Sequence, residues 1–208
     1  MGILQRLTIL LLTIPCCLLL FAASGRVLKQ TGGLTAEFRH FTALYKNDNI
    51  NETEINNGYK FVLKNGQLNI FNKDNTNIWQ SKKEWYVDSF KIGDINCDQI
   101  PEIVFVLWKS YSFGTAHPIR MANDDASVKC HLFVYSIKDD RLKSIWCSSN
   151  LPRPIYSLEL DMDGEKTPVL SGARIITREG VYTDDYRKTP ADEYIYVWNV
   201  WGFSPADN

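Results

Sequence analysis

The chain has 208 residues, with 23 Lys plus Arg against 24 Asp plus Glu and a formal net charge of −1. Without a basic block, nothing points to phosphate contacts, so no nucleic-acid partner is expected. Six Trp, ten Tyr and ten Phe suit a β-rich protein with large side chains packed between sheets.

In chain order, the first element is an apolar run without charge, Leu7 to Ala23. As a helix it would span roughly 25 Å, slightly short of the ~30 Å hydrocarbon core of a bilayer. Pro15 interrupts it, and Ala22-Ala23-Ser24 offers small residues where a signal peptidase cuts. Cys16 and Cys17 follow Ile14 and Pro15 rather than the small residues that precede a lipidated cysteine. Residues 1–24 therefore read as a signal peptide or a membrane anchor, a hydrophobic helix ahead of the folded domain. Arg26 and Lys29 outweigh Arg6, so charge leaves the orientation open. On either reading residues 25–208 lie outside the cytoplasm, secreted or tethered, with membrane contact confined to residues 7–23 of an uncleaved chain. Beyond them, Ala36 to Tyr45 is the one stretch ambiguous between helix and strand, and Asn51-Glu52-Thr53 is a glycosylation sequon.

From residue 58 onward the chain repeats itself. Ile78-Trp79-Gln80-Ser81 returns as Ile145-Trp146-Cys147-Ser148, 67 positions later, and the same offset carries Asp94 onto Asp161, Asn96 onto Asp163, Asp98 onto Glu165 and Pro101 onto Pro168. Upstream of each Ile-Trp-x-Ser lies a strand–turn–strand pattern. In the first, Tyr59–Leu63 and Leu68–Phe71 flank Lys64-Asn65-Gly66-Gln67; in the second, His131–Ile137 and Leu142–Trp146 flank Lys138-Asp139-Asp140-Arg141. Asn-Gly and Asp-Asp between β-rich runs are turn signals. Glu193 to Trp198 begins a third, partial copy. The prediction is an all-β fold of antiparallel four-stranded units, at about 58–125 and 126–190 with a partial unit at 191–208. Such a repeat suits a small or incomplete propeller-like domain better than a sandwich. Trp79 and Trp146 recur at equivalent places, which favours packing between sheets over an exposed carbohydrate platform.

Between the first two units, Asp94-Ile95-Asn96-Cys97-Asp98-Gln99-Ile100-Pro101-Glu102 sets oxygen-bearing side chains at its first, third, fifth and ninth positions and runs into Ile103-Val104-Phe105-Val106-Leu107-Trp108. A hard cation such as Ca²⁺ takes six to eight oxygens at about 2.3–2.6 Å, and a tight loop with alternate residues pointing inward supplies them. A solvated Asx-rich turn is the plainer alternative. This stretch resembles the calcium loop of FG-GAP/VCBS-type repeats, the blades of integrin-alpha-like β-propellers. The resemblance implies side-chain ligands from Asp94, Asn96, Asp98 and Glu102, a backbone carbonyl from Ile100, and a structural Ca²⁺. Gln99 stands where that pattern has glycine, and Glu102 where it has Asp. The second copy keeps Asp161, Asp163 and Glu165 but has Val169 at the ninth position, so a structural turn or weak site is expected there.

A long loop after Trp108 offers Lys109, Tyr111, Phe113 and His117 as a ligand-binding set for a surface protein or glycan, or as a cap on the domain. Catalysis finds little support: His40, His117 and His131 are scattered, with neither metal-ligand spacing nor a nucleophile motif nearby. Cys97, Cys130 and Cys147 leave an odd thiol, and a hairpin at 131–147 would bring Cys130 near Cys147. The expected function is an exported, non-enzymatic, Ca²⁺-stabilised module for surface recognition or adhesion. The alternatives are an exported polysaccharide-active hydrolase with acids among the Asp/Glu loops, or a structural subunit of an envelope complex.

Overall fold

The computed structural model describes residues 51–112, 124–163, 172–182, 186–188, 192–199 and 202–206. The apolar segment 7–23 and the ambiguous stretch 36–45 lie outside them. Among the described residues there are twelve strands and no helix, and the strands form three antiparallel four-stranded sheets, each in sequential order. The first sheet holds β1 (Asn51–Asn56), β2 (Tyr59–Lys64), β3 (Gln67–Phe71) and β4 (Asn77–Gln80). The second holds β5 (Tyr86–Gly93), β6 (Glu102–Ser110), β7 (Val128–Lys138) and β8 (Arg141–Cys147). The third holds β9 (Ile155–Asp161), β10 (Arg174–Glu179), β11 (Asp192–Asn199) and β12 (Gly202–Pro205). The all-β expectation and the four-stranded antiparallel grouping are both met.

Turn chemistry makes these hairpins local events. Asn57-Gly58, Asn65-Gly66 and Asp139-Asp140 each hold two successive residues at positive φ, between 49° and 81°. That is the two-residue geometry whose twist matches the flanking strands. Gly66 is also required by packing, because a Cβ there would stand 2.2 Å from the Tyr86 ring.

The two Ile-Trp-x-Ser motifs make equivalent hydrogen bonds. Ser81 N–H donates to the Leu68 carbonyl (2.8 Å) while Leu68 N–H donates to Ser81 Oγ (3.1 Å). Ser148 and Leu132 make the same reciprocal pair, each bond at 3.0 Å. Each serine thus extends the ladder one step past its Trp-bearing strand, with backbone and side chain together satisfying the facing residue. The predicted unit boundaries are out of phase with the sheets. Units at 58–125 and 126–190 each begin inside one sheet and end inside the next, and 191–208 is the outer half of the third sheet. The similarity is anchored on Ile-Trp-x-Ser and the acidic turn, which straddle the break between sheets, so it carries the period but not the phase.

The second sheet lies between the other two. One face, through Ile103, Phe105, Leu107 and Phe133, packs on Phe61, Leu63, Leu68 and Ile70 of the first sheet. Its other face, through Val104, Val106, Leu132 and Val134, packs on Ile155, Leu158 and Ile175 of the third. This explains why β6 is apolar at every position from Ile103 to Trp108: a strand covered on both faces loses the alternation of a half-exposed one. Trp79 packs against Phe105 and Tyr135, and Trp146 against Phe203, so both repeated tryptophans fill the space between sheets. Cys130 and Cys147 remain unbridged thiols. Cys130 faces the third sheet, whereas Cys147 pairs across the ladder with Phe133 on the opposite face. The register also sets Cys147 opposite Phe133, three residues along β7 from Cys130, roughly 10 Å at the rise of a strand and beyond the reach of a disulfide.

Candidate functional site: the acidic loop and its surroundings

The loop Asp94–Pro101 joins β5 to β6, and its side chains organise its own backbone. Asp94 accepts from the N–H of Asp98 (3.0 Å, Oδ1) and of Gln99 (2.9 Å, Oδ2). Asn96 Oδ1 accepts from Asp98 N–H (3.0 Å), and Asp98 Oδ1 from Ile100 N–H (2.8 Å). The Asn96 amide nitrogen lies 3.2 Å from both Asp98 Oδ2 and Glu102 Oε1. Cys97 and Gln99 take left-handed backbone conformations, φ 60° and 70°, the region where glycine is the easiest residue, so the turn accommodates a glutamine side chain there.

Glu102, the first residue of β6, is fully buried. Its Oε2 accepts from Ile95 N–H at 3.0 Å. Burial pushes its carboxyl up to about 7; the Ile95 N–H pulls it back, and the Asp98 and Asp94 charges add to the rise. Among the described residues no Lys or Arg forms an ion pair with Asp94, Asp98 or Glu102. The donor set fits a hard, oxygen-seeking cation: three carboxylates and a carboxamide on one loop. The loop nonetheless satisfies itself by hydrogen bonds, and among the described residues no three His, Cys, Asp or Glu side chains are gathered closely enough to hold a metal ion.

The second copy is neutralised from outside. Asp161 accepts from Asp163 N–H at 2.9 Å and pairs with the Arg174 guanidinium across the β9–β10 ladder. The Asp163 N–H, and after it the Arg174 partner, hold the Asp161 carboxyl below its usual range. Asp161 is thereby tied to the β9–β10 ladder, and Glu165 lies outside the described residues.

The predicted ligand set divides. Phe113 and His117 lie outside the described residues. Lys109 is buried, and its ammonium donates inward to the carbonyls of Tyr111 and of Ser112, the latter at 3.0 Å. Asp124 Oδ1 accepts from Ser112 N–H (2.8 Å), and Ser112 Oγ from Asn150 N–H (2.9 Å). Lys109 and its neighbours thus tie down the start of the loop; Tyr111 is half-buried.

Two features escaped sequence reasoning. Asp88, buried at the bulge between Val87 and Ser89, sits 2.7 Å from Arg187 Nη2 and 3.4 Å from the Tyr186 hydroxyl. Its only sequence signal is a carboxylate interrupting the apolar start of β5. The other is a cleft of about 200 Å³ beside the acidic loop, between the first and second sheets, walled partly by Ile92, Ile100 and Ile137.

Compared with family models, with curated proteins and with solved structures, the chain matches none of them.

Proposed function

We propose that this chain is an exported, non-enzymatic β-repeat module, stabilised by Ca²⁺ on the loop Asp94–Glu102, whose role is recognition of or adhesion to a surface component. The observation that carries this reading is the concentration of Asp94, Asp98 and Glu102 on one loop with no cationic partner among the described residues. Burying Glu102 beside two like charges is costly unless it is protonated or neutralised. The three carboxylates are not gathered around one point as they stand; a divalent cation that drew them together would neutralise all three, with Asn96 and the Ile100 carbonyl as the further oxygens. The ion is scaffold in this reading: it fixes the turn between β5 and β6 at one end of the central sheet, while neighbouring surfaces meet the partner.

The three sheets are read as successive blades of an incomplete, FG-GAP-like propeller. Their sequential strand order supports this, as does the contact of β5 with β9 and of β8 with both β4 and β12, first strand near first and last near last.

Thermal unfolding tests the ion directly. Ca²⁺ is expected to raise the melting temperature of the wild type, by mass action on the folded state alone. The increment should vanish in Asp94→Ala plus Asp98→Ala. Identical melting of the wild type in Ca²⁺ and in EDTA would sink the metal reading.

A further inference from the structure

The cleft beside the acidic loop has a wall and a rim of different chemistry. Phe61, Tyr59 and Pro101 contribute apolar and aromatic surface, and Asn56, Asn57 and Gln99 contribute carboxamides. The Tyr59 ring is held in place by its hydroxyl, which donates to Asp140 Oδ1 at 3.0 Å. None of the lining residues is charged, so nothing there would compensate a phosphate, sulfate or ammonium group. At about 200 Å³ the space is below the roughly 300–1,000 Å³ that encloses a drug-sized ligand, and it suits a single ring.

The rim is built at a conformational cost. Asn57 and Gln99 both sit in the left-handed region, φ 49° and 70°, where glycine is the easiest residue. Asn tolerates that region; Gln has no such preference. Gln99 places a long, solvent-exposed carboxamide at the cleft beside exposed Asn57 and half-buried Asn56, and among the described residues no protein group hydrogen-bonds these three carboxamides, which leaves them open to a ligand in place of water. Each carboxamide offers two donor hydrogens and an acceptor oxygen. A sugar presents the complement: hydroxyls that donate and accept around its edge, and a C–H face that lies against aromatic and aliphatic surface.

We infer that this cleft binds one uncharged sugar ring, a terminal hexose or N-acetylhexosamine, with Asn56, Asn57 and Gln99 reading its hydroxyls and Tyr59 and Pro101 covering its apolar face above the buried floor at Phe61. The assignment rests on the surface-recognition reading above.

The full-length protein is screened on an array of neutral glycans ending in hexose or N-acetylhexosamine, beside sialylated and sulfated glycans and a set of proline-rich and aliphatic peptides. The expected result is retention of at least one neutral glycan, competed by its free monosaccharide. Asn57→Gly and Gln99→Gly should each weaken that binding tenfold or more. Because glycine suits both backbones, the melting temperature should hold or rise, a divergence that a purely structural role for these side chains does not produce. The inference is overturned by retention of only charged glycans or peptides, or by neutral-glycan binding that survives both substitutions. Survival would leave surface recognition standing at another place on the molecule. Silence across the whole array counts against the cleft and the recognition reading together.

Discussion

His131 shows how one residue's burial becomes a property of the whole chain. Its imidazole is fully buried on β7, with Nδ1 3.3 Å from the Ser148 carbonyl and Nε2 without a hydrogen-bond partner among the described residues. Contact with a carbonyl assigns the proton to Nδ1 and leaves Nε2 as a lone pair in the interior. Burial, with the Lys109 charge second, depresses its pKa from 6.5 to about 4. Below the unfolded value, the unfolded chain takes up a proton that the folded chain refuses. The contribution is therefore complete above pH 6.5 and lost as pH falls toward 4, up to about 3 kcal/mol. Glu102 and Glu179, raised by burial, act in the opposite sense, favouring the folded state at low pH and losing that advantage as pH rises through their folded pKa. Total stability mixes these signs. The difference between wild type and His131→Asn isolates the imidazole, and urea titrations from pH 4 to 7 should show it grow with pH and level off above 6.5. A flat difference would mean that His131 stays protonated or reaches solvent.

At the scale of elements, the serine that follows each Trp-bearing strand closes its hairpin. Removing the Ser148 hydroxyl strands the buried Leu132 N–H, so Ser148→Ala should cost about 1–3 kcal/mol in urea denaturation, and Ser81→Ala should fall in the same range. An effect near zero would show that the reciprocal pair is incidental. These hairpins were largely legible beforehand, because Asn65-Gly66 and Asp139-Asp140 encode their turns locally. The acidic loop was legible as a turn for the same reason, Asx side chains capping the nearest N–H groups. Lys109 was not. In sequence it is a cation at the mouth of a long loop, and only the fold shows that its ammonium serves the carbonyls of Tyr111 and Ser112. The cleft was equally hidden, since its wall comes from β2, β5, β7 and the acidic loop, which no spacing rule brings together.

For the molecule as a whole, the central position of the second sheet sets the order of stability. β6 and β7 are covered on both faces, while β1, β4 and β12 are edge strands of their sheets. Local opening is cheapest where few apolar contacts are lost. Native-state hydrogen exchange should therefore be slowest in Phe105, Val106, Leu132 and Phe133 and faster in β1 and β12. Equal protection in β1 and β6 would contradict the layered core. The same arrangement explains why Phe105 sits among aromatic neighbours, with Trp79, Phe133 and Tyr135 rings at 5.2–6.1 Å.

Residue order alone accounts for the β class, the tight turns, the 67-residue offset between the two motifs and the acidic loop. Each depends on residues close in the chain or on composition repeated along it. Tertiary structure decided the phase of the sheets against that offset, the burial of both faces of β6, and the separation of Cys130 from Cys147. It also decided the neutralisation of Asp161 by Arg174 and the meeting of three carboxamides at one cleft. Those outcomes depend on which surfaces cover which, and burial is a property of pairs of faces that no single strand carries in its own residues.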